Sequence, residues 1–289
     1  MILREALQSV SQTLRGARIA DASVEAEFLL GQVLGMSKTQ LYTEPERDLA
    51  STETEHLGHL VRRRLEHEPA AYILEHCEFY GIDFYIDSHT FIPRPETELL
   101  VEKAVELAQR IFRRGEQITI ADIGTGCGAI AISLALALAE AKIYATDISA
   151  SALQVAAVNC RHHGADGQVE LLQGNLLEPL PQAVDMVVAN LPYIGDCEFK
   201  DLSPEIRDYE PAMSWAGGGQ GLDKIREMLE EMPGKLNRGG CFLLEIGRGQ
   251  GKWVCSLIER HFPQASIELL PDLGGIQRMV KVVLQGGVR

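Results

Sequence analysis

The run Asn190-Leu191-Pro192-Tyr193 follows the apolar stretch Asp185-Met186-Val187-Val188-Ala189, and its residue types suit a grip on a planar NH2 group. The nitrogen of an amide or an aromatic amine is a poor nucleophile, because its lone pair is delocalised into the adjacent π system. An enzyme that alkylates it must therefore orient it. The Asn190 side-chain oxygen and the Leu191 backbone carbonyl can each accept one N–H, which leaves the out-of-plane face of the nitrogen for attack. Tyr193 offers a flat surface for stacking. Pro192 biases Leu191 towards an extended conformation, which helps fix where its carbonyl points. The bland reading of the same four residues is a strand, a turn and a buried Tyr.

Upstream, Ile118-Thr119-Ile120-Ala121-Asp122-Ile123 has the β-branched pattern of a strand and runs into Gly124-Thr125-Gly126-Cys127-Gly128. Residues Ala129 to Ala141 then have the composition of a helix. Strand, spaced glycines and helix form a nucleotide-cofactor turn, in which missing Cβ atoms permit close backbone approach. The third glycine comes one residue after the second rather than two, which argues against NAD. A second strand, Lys142-Ile143-Tyr144-Ala145-Thr146, ends at Asp147. That position is about 20 residues beyond the loop, the separation expected of an acid that hydrogen-bonds ribose hydroxyls. Alone, Asp147 also reads as a cap for a helix starting near Ser149. Cys127 has no motif-linked His and reads as a small packed side chain rather than a nucleophile.

The elements around these motifs set the architecture. Ile2, Leu3, Ala6, Leu7 and Val10 recur at helical spacing, as do Phe28, Leu29, Val33 and Leu34 before Gly35, a helix stop. Thr52 and Glu55 have capping-box spacing ahead of Leu57, Leu60, Val61 and Leu65, a run that Pro69 ends. Residues 1–75 are thus expected to form a helical bundle. Residues 76–92 alternate aromatic and β-branched types around Gly81-Ile82-Asp83, which predicts a hairpin linker. From Pro93 to 289 strands and helices alternate, predicting an α/β domain with a sheet covered on both faces. Seven strands are expected near 118–123, 142–147, 168–172, 184–190, 240–246, 265–270 and 278–284. Gly124, Asp147, Asn175 and Asn190 all fall at strand ends, where ligands bind in such folds.

Composition narrows the partners. The 289 residues are 46% hydrophobic and 24% charged, ordinary globular material for about two domains. The longest apolar stretch, Ala129 to Ala139, is well short of the ~20 residues of a membrane span, and the amphipathic start Met1-Ile2-Leu3-Arg4-Glu5 is unlike a signal peptide. Six cysteines without a Cys-x-x-Cys pair fit a reducing cytoplasm and provide no zinc spacing, so no metal is expected. The net charge of −14 disfavours a nucleic-acid grip and favours a protein substrate. The basic runs Arg62-Arg63-Arg64 and Arg113-Arg114 read as solvated helix faces.

Over nearly its whole length the chain resembles the protein-glutamine N5-methyltransferases that modify peptide-chain release factors. The resemblance rests on Glu68-Pro69-Ala70-Ala71-Tyr72-Ile73-Leu74, Glu78-Phe79-Tyr80-Gly81, Phe91-Ile92-Pro93-Arg94-Pro95-Glu96-Thr97-Glu98, the glycine loop, Asn190 to Tyr193 and Glu245-Ile246-Gly247. The Ile-Pro-Arg-Pro-Glu-Thr-Glu segment is the most specific of these. Two positions depart from the family pattern: Leu191 stands where Pro is usual, and Asn175 where an acid is common. The resemblance implies a class I S-adenosylmethionine-dependent methyltransferase with a Rossmann-like seven-stranded sheet, its last strand antiparallel. It also implies that S-adenosylmethionine lies along Gly124, Thr125, Gly126, Cys127 and Gly128, with ribose on Asp147, adenine near Asn175 and Leu176, and the reacting end near Asn190. Asn190, Pro192 and Tyr193 are the expected catalytic residues. Asn190, Leu191, Pro192, Tyr193, Phe91, Arg94 and Glu96 are the expected substrate contacts, with an internal Arg94–Glu96 ion pair as the alternative for that pair. The implied substrate is the glutamine of the Gly-Gly-Gln loop of a bacterial release factor.

Two other classes share these features. An adenine N6-methyltransferase acting on rRNA or DNA also needs an NH2 clamp, and Asn-Leu-Pro-Tyr occurs in the rRNA adenine dimethyltransferases. The acidic balance and residues Ile92 to Glu98 oppose it. A non-catalytic scaffold that only senses the cofactor is the second.

Overall fold

A computed structural model of the chain describes residues 1–111 and 117–285, so the basic pair Arg113-Arg114 lies outside the described residues. The chain divides into two compact units. One comprises Met1–His76 with Ser203–Tyr209, and the other Cys77–Leu202 with the chain from Glu210 onwards.

The first unit is built from α1 (Leu3–Gly16), α2 (Ala22–Leu34), α3 (Lys38–Thr43), α4 (Ser51–Leu65) and α5 (Ala70–Leu74). Leu3, Ala6, Val10 and Leu14 of α1 pack with Ala26, Leu29 and Leu30 of α2 and Leu57 and Leu60 of α4. Gly35 ends α2 at φ 62°, a left-handed value that costs glycine nothing. Three details differ from expectation, one being that Arg64, in a run expected to be a solvated helix face, is buried. Phe28 is half exposed, because the buried stripe of α2 runs through Leu29 and Leu30. The α4 cap lies two residues upstream of Thr52 and Glu55, where the Ala50 N–H donates to Glu53 Oε2 at 2.8 Å. The segment Ser203–Tyr209 belongs to this unit through Arg64. That buried guanidinium donates to Glu25 at 2.6 and 3.0 Å and to Glu205 at 2.6 Å, and Tyr209 donates its hydroxyl to the Glu66 carbonyl.

The second part of the chain opens with a hairpin, β1 (His76–Phe79) and β2 (Ile82–Tyr85). Its turn is Tyr80-Gly81, at φ 54° and 70°, rather than Gly81-Ile82-Asp83, since Ile82 and Asp83 already belong to β2. Positive φ at both central residues matches the twist of a two-residue hairpin. The Tyr80 N–H is held by Glu98 Oε1 at 2.9 Å.

Then follow α6 (Pro95–Ile111), β3 (Ile118–Ile123), α7 (Ala129–Ala137), β4 (Ala141–Asp147), α8 (Ala150–His162), β5 (Val169–Gln173) and β6 (Val184–Ala189). After the loop carrying α9 (Pro204–Tyr209) come α10 (Asp223–Glu231), β7 (Leu236–Glu245), α11 (Gly251–His261), β8 (Ser266–Pro271) and β9 (Gln277–Val283). The sheet order is β5-β4-β3-β6-β7-β9-β8. All pairs are parallel except those of β9, which runs antiparallel to β7 and β8. This is the seven-stranded sheet, antiparallel last strand included, that the resemblance implies. The central strands β3, β4 and β6 are buried along nearly their whole length, which explains their continuous apolar runs. One expected boundary fails. Helix α7 stops at Ala137, not Ala141, because Ala141 pairs with Ile118 in the sheet, a tertiary demand that an Ala-Leu composition does not reveal.

Candidate active site

The chain leaves β3 to build β4 and β5 on one side, then returns to place β6 on the other, so the sheet switches direction between β3 and β6. Ile123 pairs with Ala189, and the next residues on each strand are Gly124 and Asn190. A Cβ at Gly124 would meet Leu191 Cδ2 at 3.4 Å and the Asn190 carbonyl oxygen at 3.9 Å. The glycine loop and the Asn190-Leu191 segment therefore lie side by side, close enough that even a methyl group at Gly124 would touch Leu191.

Gly124, Gly126 and Gly128 take φ of 73°, 57° and 87°. Their surroundings differ. A side chain at Gly128 would press on Ile132 and Ala156, which is a packing constraint, whereas one at Gly126 meets nothing within 4 Å and projects into open space. The loop is tied to β4 by the N–H groups of Gly124 and Thr125, which both donate to the Thr146 carbonyl at 2.9 Å. Asp147 accepts from the Gly126 N–H at 2.9 Å through Oδ2 and from the Ser149 N–H at 2.9 Å through Oδ1. It thus positions both the loop and the start of α8, and burial raises its carboxyl above the ordinary value despite those amides. Cys127 is buried, and burial pushes its thiol up to about 12, so it is not a thiolate nucleophile.

Beyond β5, Asn175 donates through Nδ2 to Glu227 Oε1 at 2.7 Å, which leaves its side-chain oxygen for another donor. Leu176 is buried at φ 44°, with its carbonyl accepting from Thr146 Oγ1 at 2.9 Å. Arg94 and Glu96 do not pair. Arg94 binds the buried carboxylate of Glu210 and lies over the Phe91 ring at 4.6 Å, while Glu96 is exposed on the first turn of α6. The two side chains diverge because Pro95 starts the helix between them.

Around Asn190-Leu191-Pro192-Tyr193 the structure gathers residues whose roles the sequence did not reveal. Asn190 donates through Nδ2 to Thr97 Oγ1 at 3.1 Å, and Thr97 donates to Glu245 Oε2 at 2.7 Å. Tyr193 donates its hydroxyl to Glu245 Oε1 at 3.3 Å. Burial drives Glu245 up to about 7 and also raises the Tyr193 hydroxyl. The Tyr193 carbonyl accepts from Gln250 Nε2 at 2.8 Å, and the Gly217-to-Gly221 stretch wraps the Pro192–Tyr193 backbone closely. Asp122 is fully buried, accepts from Thr125 Oγ1 at 2.6 Å and from the Ala131 N–H at 3.2 Å, and is pushed by burial to about 7. Its Oδ1 has no hydrogen-bond partner among the described residues. The available signal was a carboxylate inside or ending an apolar strand, as in Ile118–Ile123 and Cys241–Glu245.

Such a donor set fits an amphoteric nucleotide ligand. It combines an open glycine cradle, a carboxylate at the end of the second strand and a buried orphan carboxylate oxygen. Among the described residues no helix is long and apolar enough to cross a membrane.

Comparison with known proteins finds relatives along nearly the whole chain. The family described as PrmC N-terminal domain matches residues 5–74, and the methyltransferase small domain matches residues 97–202. A release factor glutamine methyltransferase of Moorella thermoacetica is 38% identical over 279 residues, 96% of this chain and 97% of that protein. Its counterpart in Koribacter versatilis is 36% identical over 282 residues, covering 97% and 98%. A solved methyltransferase from Pyrococcus furiosus, 20% identical, shares the fold at a TM-score of 0.52 over 72% of this chain and 91% of its own. With this identity sustained across both units, the chain belongs to the release factor glutamine methyltransferase family.

Proposed function

We propose that this enzyme transfers a methyl group from S-adenosylmethionine to the side-chain amide nitrogen, N5, of the glutamine in the Gly-Gly-Gln loop of a bacterial release factor. The observation that carries the reading is the adjacency of Gly124 to Asn190 and Leu191 at the ends of β3 and β6, because it joins a nucleotide cradle to an NH2 clamp in one mouth. The family relationship supplies the substrate.

Gly124 to Gly128 and Asp147 would hold the methionine and ribose portions of the cofactor. Asn175 Oδ1 and Leu176 are assigned to adenine, since Glu227 fixes the Asn175 amide with its oxygen free. When bound, S-adenosylmethionine supplies an electrophilic methyl group whose sulfur leaves as a neutral thioether. The chain's own work is positioning, and holding reacting atoms about 3 Å apart supplies several kcal/mol of a barrier. Asn190 Oδ1 and the Leu191 carbonyl accept the two amide N–H groups and favour the charge that develops on nitrogen. Pro192 fixes the Leu191 carbonyl, and Tyr193 flanks the flat amide. The alkylated nitrogen is acidic enough to lose its extra proton to water. Phe91 and Arg94 form a stacked pair suited to a backbone or aromatic contact, and Glu96, exposed beside them, is assigned to the rim. Residues 1–75 are assigned to holding the release factor, residues 76–92 to a hairpin linker and residues 93–289 to the methyltransferase domain. A cytoplasmic site of action follows from such a partner.

The test is mass spectrometry of a release factor incubated with the enzyme and S-adenosylmethionine. One added methyl on the loop glutamine, abolished by Asn190→Ala, is the expected result. Methyl appearing on rRNA and not on the release factor would overturn the reading.

A further inference from the structure

A clamp for an NH2 group works only if Asn190 presents oxygen, not nitrogen, to its substrate. A carboxamide carries an acceptor and a donor side of almost the same shape, so sequence alone leaves the orientation open. Here the chain imposes a polarity. Glu245 as a carboxylate is acceptor-only, so the single Thr97 hydroxyl proton points to Oε2, 2.7 Å away. That leaves a Thr97 lone pair facing Asn190 at 3.1 Å, which only the NH2 side of the carboxamide can satisfy. A flipped Asn190 would set oxygen against oxygen. The other oxygen of the same carboxylate accepts the Tyr193 hydroxyl at 3.3 Å. One buried carboxylate thereby backs both side chains of the clamp.

We propose that Thr97 and Glu245 are positioning residues for methyl transfer: through a directed hydrogen-bond relay they hold the Asn190 oxygen towards the substrate amide and fix the Tyr193 ring. The inference rests on the function proposed above and adds two residues that touch neither substrate nor cofactor. A consequence follows from the chemistry of the relay. Besides Thr97, Glu245 faces Glu96 from α6, Tyr193 from the loop after β6 and Arg278 from β9. Burial outweighs the lowering effect of Thr97, Tyr193 and Arg278, so the carboxyl gains its proton as pH falls through about 7. A proton on Oε2 turns the acceptor into a donor. Thr97 then donates to Asn190, whose stable orientation flips and offers NH2 to an NH2 substrate.

Two measurements test this. In steady-state assays with a release factor, Thr97→Val is expected to lower kcat about 10²-fold, the scale of a small misplacement near reacting atoms, with cofactor affinity measured by calorimetry held at the wild-type value. Thr97→Ser, which keeps the hydroxyl, should recover most of that loss. Equal impairment of the Ser and Val variants would mean that Thr97 acts by packing, and an unimpaired Val variant would mean that it does nothing; either sinks the proposal. The second measurement needs no substrate. The side-chain NH2 signals of Asn190, assigned by their disappearance in Asn190→Ala, should shift with a midpoint near pH 7 in nuclear magnetic resonance spectra of the wild type, and not in Glu245→Gln. Signals indifferent to pH, or a midpoint retained in Glu245→Gln, would overturn the relay. An enzyme inactive on release factors but showing that titration would refute the function while leaving the relay standing.

Discussion

The Gly126 N–H donates to Asp147 Oδ2 at 2.9 Å, so the acid assigned to the ribose is also a strut of the glycine loop. Its other oxygen holds the Ser149 N–H at the start of α8. Removing this carboxylate deletes two loop hydrogen bonds as well as the proposed ribose contact. Hydrogen bonds to charged groups contribute about 1.5–3 kcal/mol each. Asp147→Ala is therefore expected to weaken S-adenosylmethionine binding by about 10²-fold or more, measured by calorimetry. A loss under about threefold would remove Asp147 from the site.

The glycine-rich stretch after Ala216 permits a second contrast. A Cβ at Gly217 would meet the Pro192 carbonyl oxygen at 2.6 Å and the Tyr193 and Gly221 Cα atoms at 2.8 Å, all of them backbone. At Gly219 it would meet nothing within 4 Å. Gly217→Ala should displace the clamp and cut kcat by about 10²-fold, while Gly219→Ala should turn over like wild type. Similar rates for the two variants would show that the stretch does not support the clamp.

Leu191 stands where the family usually has Pro, but the contact assigned to it is its backbone carbonyl. It lies beyond the last pairs of β6, in which Ala189 faces Ile123 and Leu244. Proline there removes no ladder hydrogen bond and adds an extended bias on Asn190. Leu191→Pro is expected to keep methylation within about tenfold of wild type, whereas Asn190→Ala should lose it. Parallel rate measurements on both variants decide the point.

In the helical unit, Arg64 has 3% of its side chain exposed and bridges Glu25 and Glu205. Arg64→Ala leaves two carboxylates without their cation. The expected cost is about 3 kcal/mol, the low end for a broken buried pair, because both carboxylates retain some solvent. Chemical denaturation measures that loss, and limited proteolysis should show new cleavage within 203–209. An unchanged cleavage pattern would mean that Tyr209 alone secures the segment.

The fold also carries a pH signature. Asp122 titrates near 7 in the folded chain, because burial penalises its charge, against about 3.9 when unfolded. Below about pH 4 both states keep the proton and its contribution to stability is fully present. As pH rises the unfolded chain releases the proton first, and the contribution is lost on passing through about 7. Glu245, also near 7, acts in the same direction. The melting temperature should fall between about pH 4 and 7, less steeply in Asp122→Asn. An equal slope in that variant would assign the effect elsewhere.

The sequence by itself determined what depends on local spacing and residue type. Period-2 and continuous apolar runs located all seven strands of the sheet within a few residues, and the glycine spacing with Asp147 pointed to the turn proposed for the cofactor. The resemblance carried by Ile92 to Glu98 and Asn190 to Tyr193 supplied the family. Relations between distant residues were decided by tertiary structure. Thr97, Asn190 and Glu245 are separated by 93 and 148 residues in their two hydrogen bonds through Thr97, and no local pattern encodes which oxygen of a carboxamide faces outward. Arg94 found Glu210 rather than its neighbour Glu96, because the start of α6 turns the two apart. Helix α7 ended early because the sheet claimed Ala141. Short-range propensity decides which elements form, whereas the polarity of a buried hydrogen-bond chain is fixed only when folding excludes water and each donor must find its acceptor.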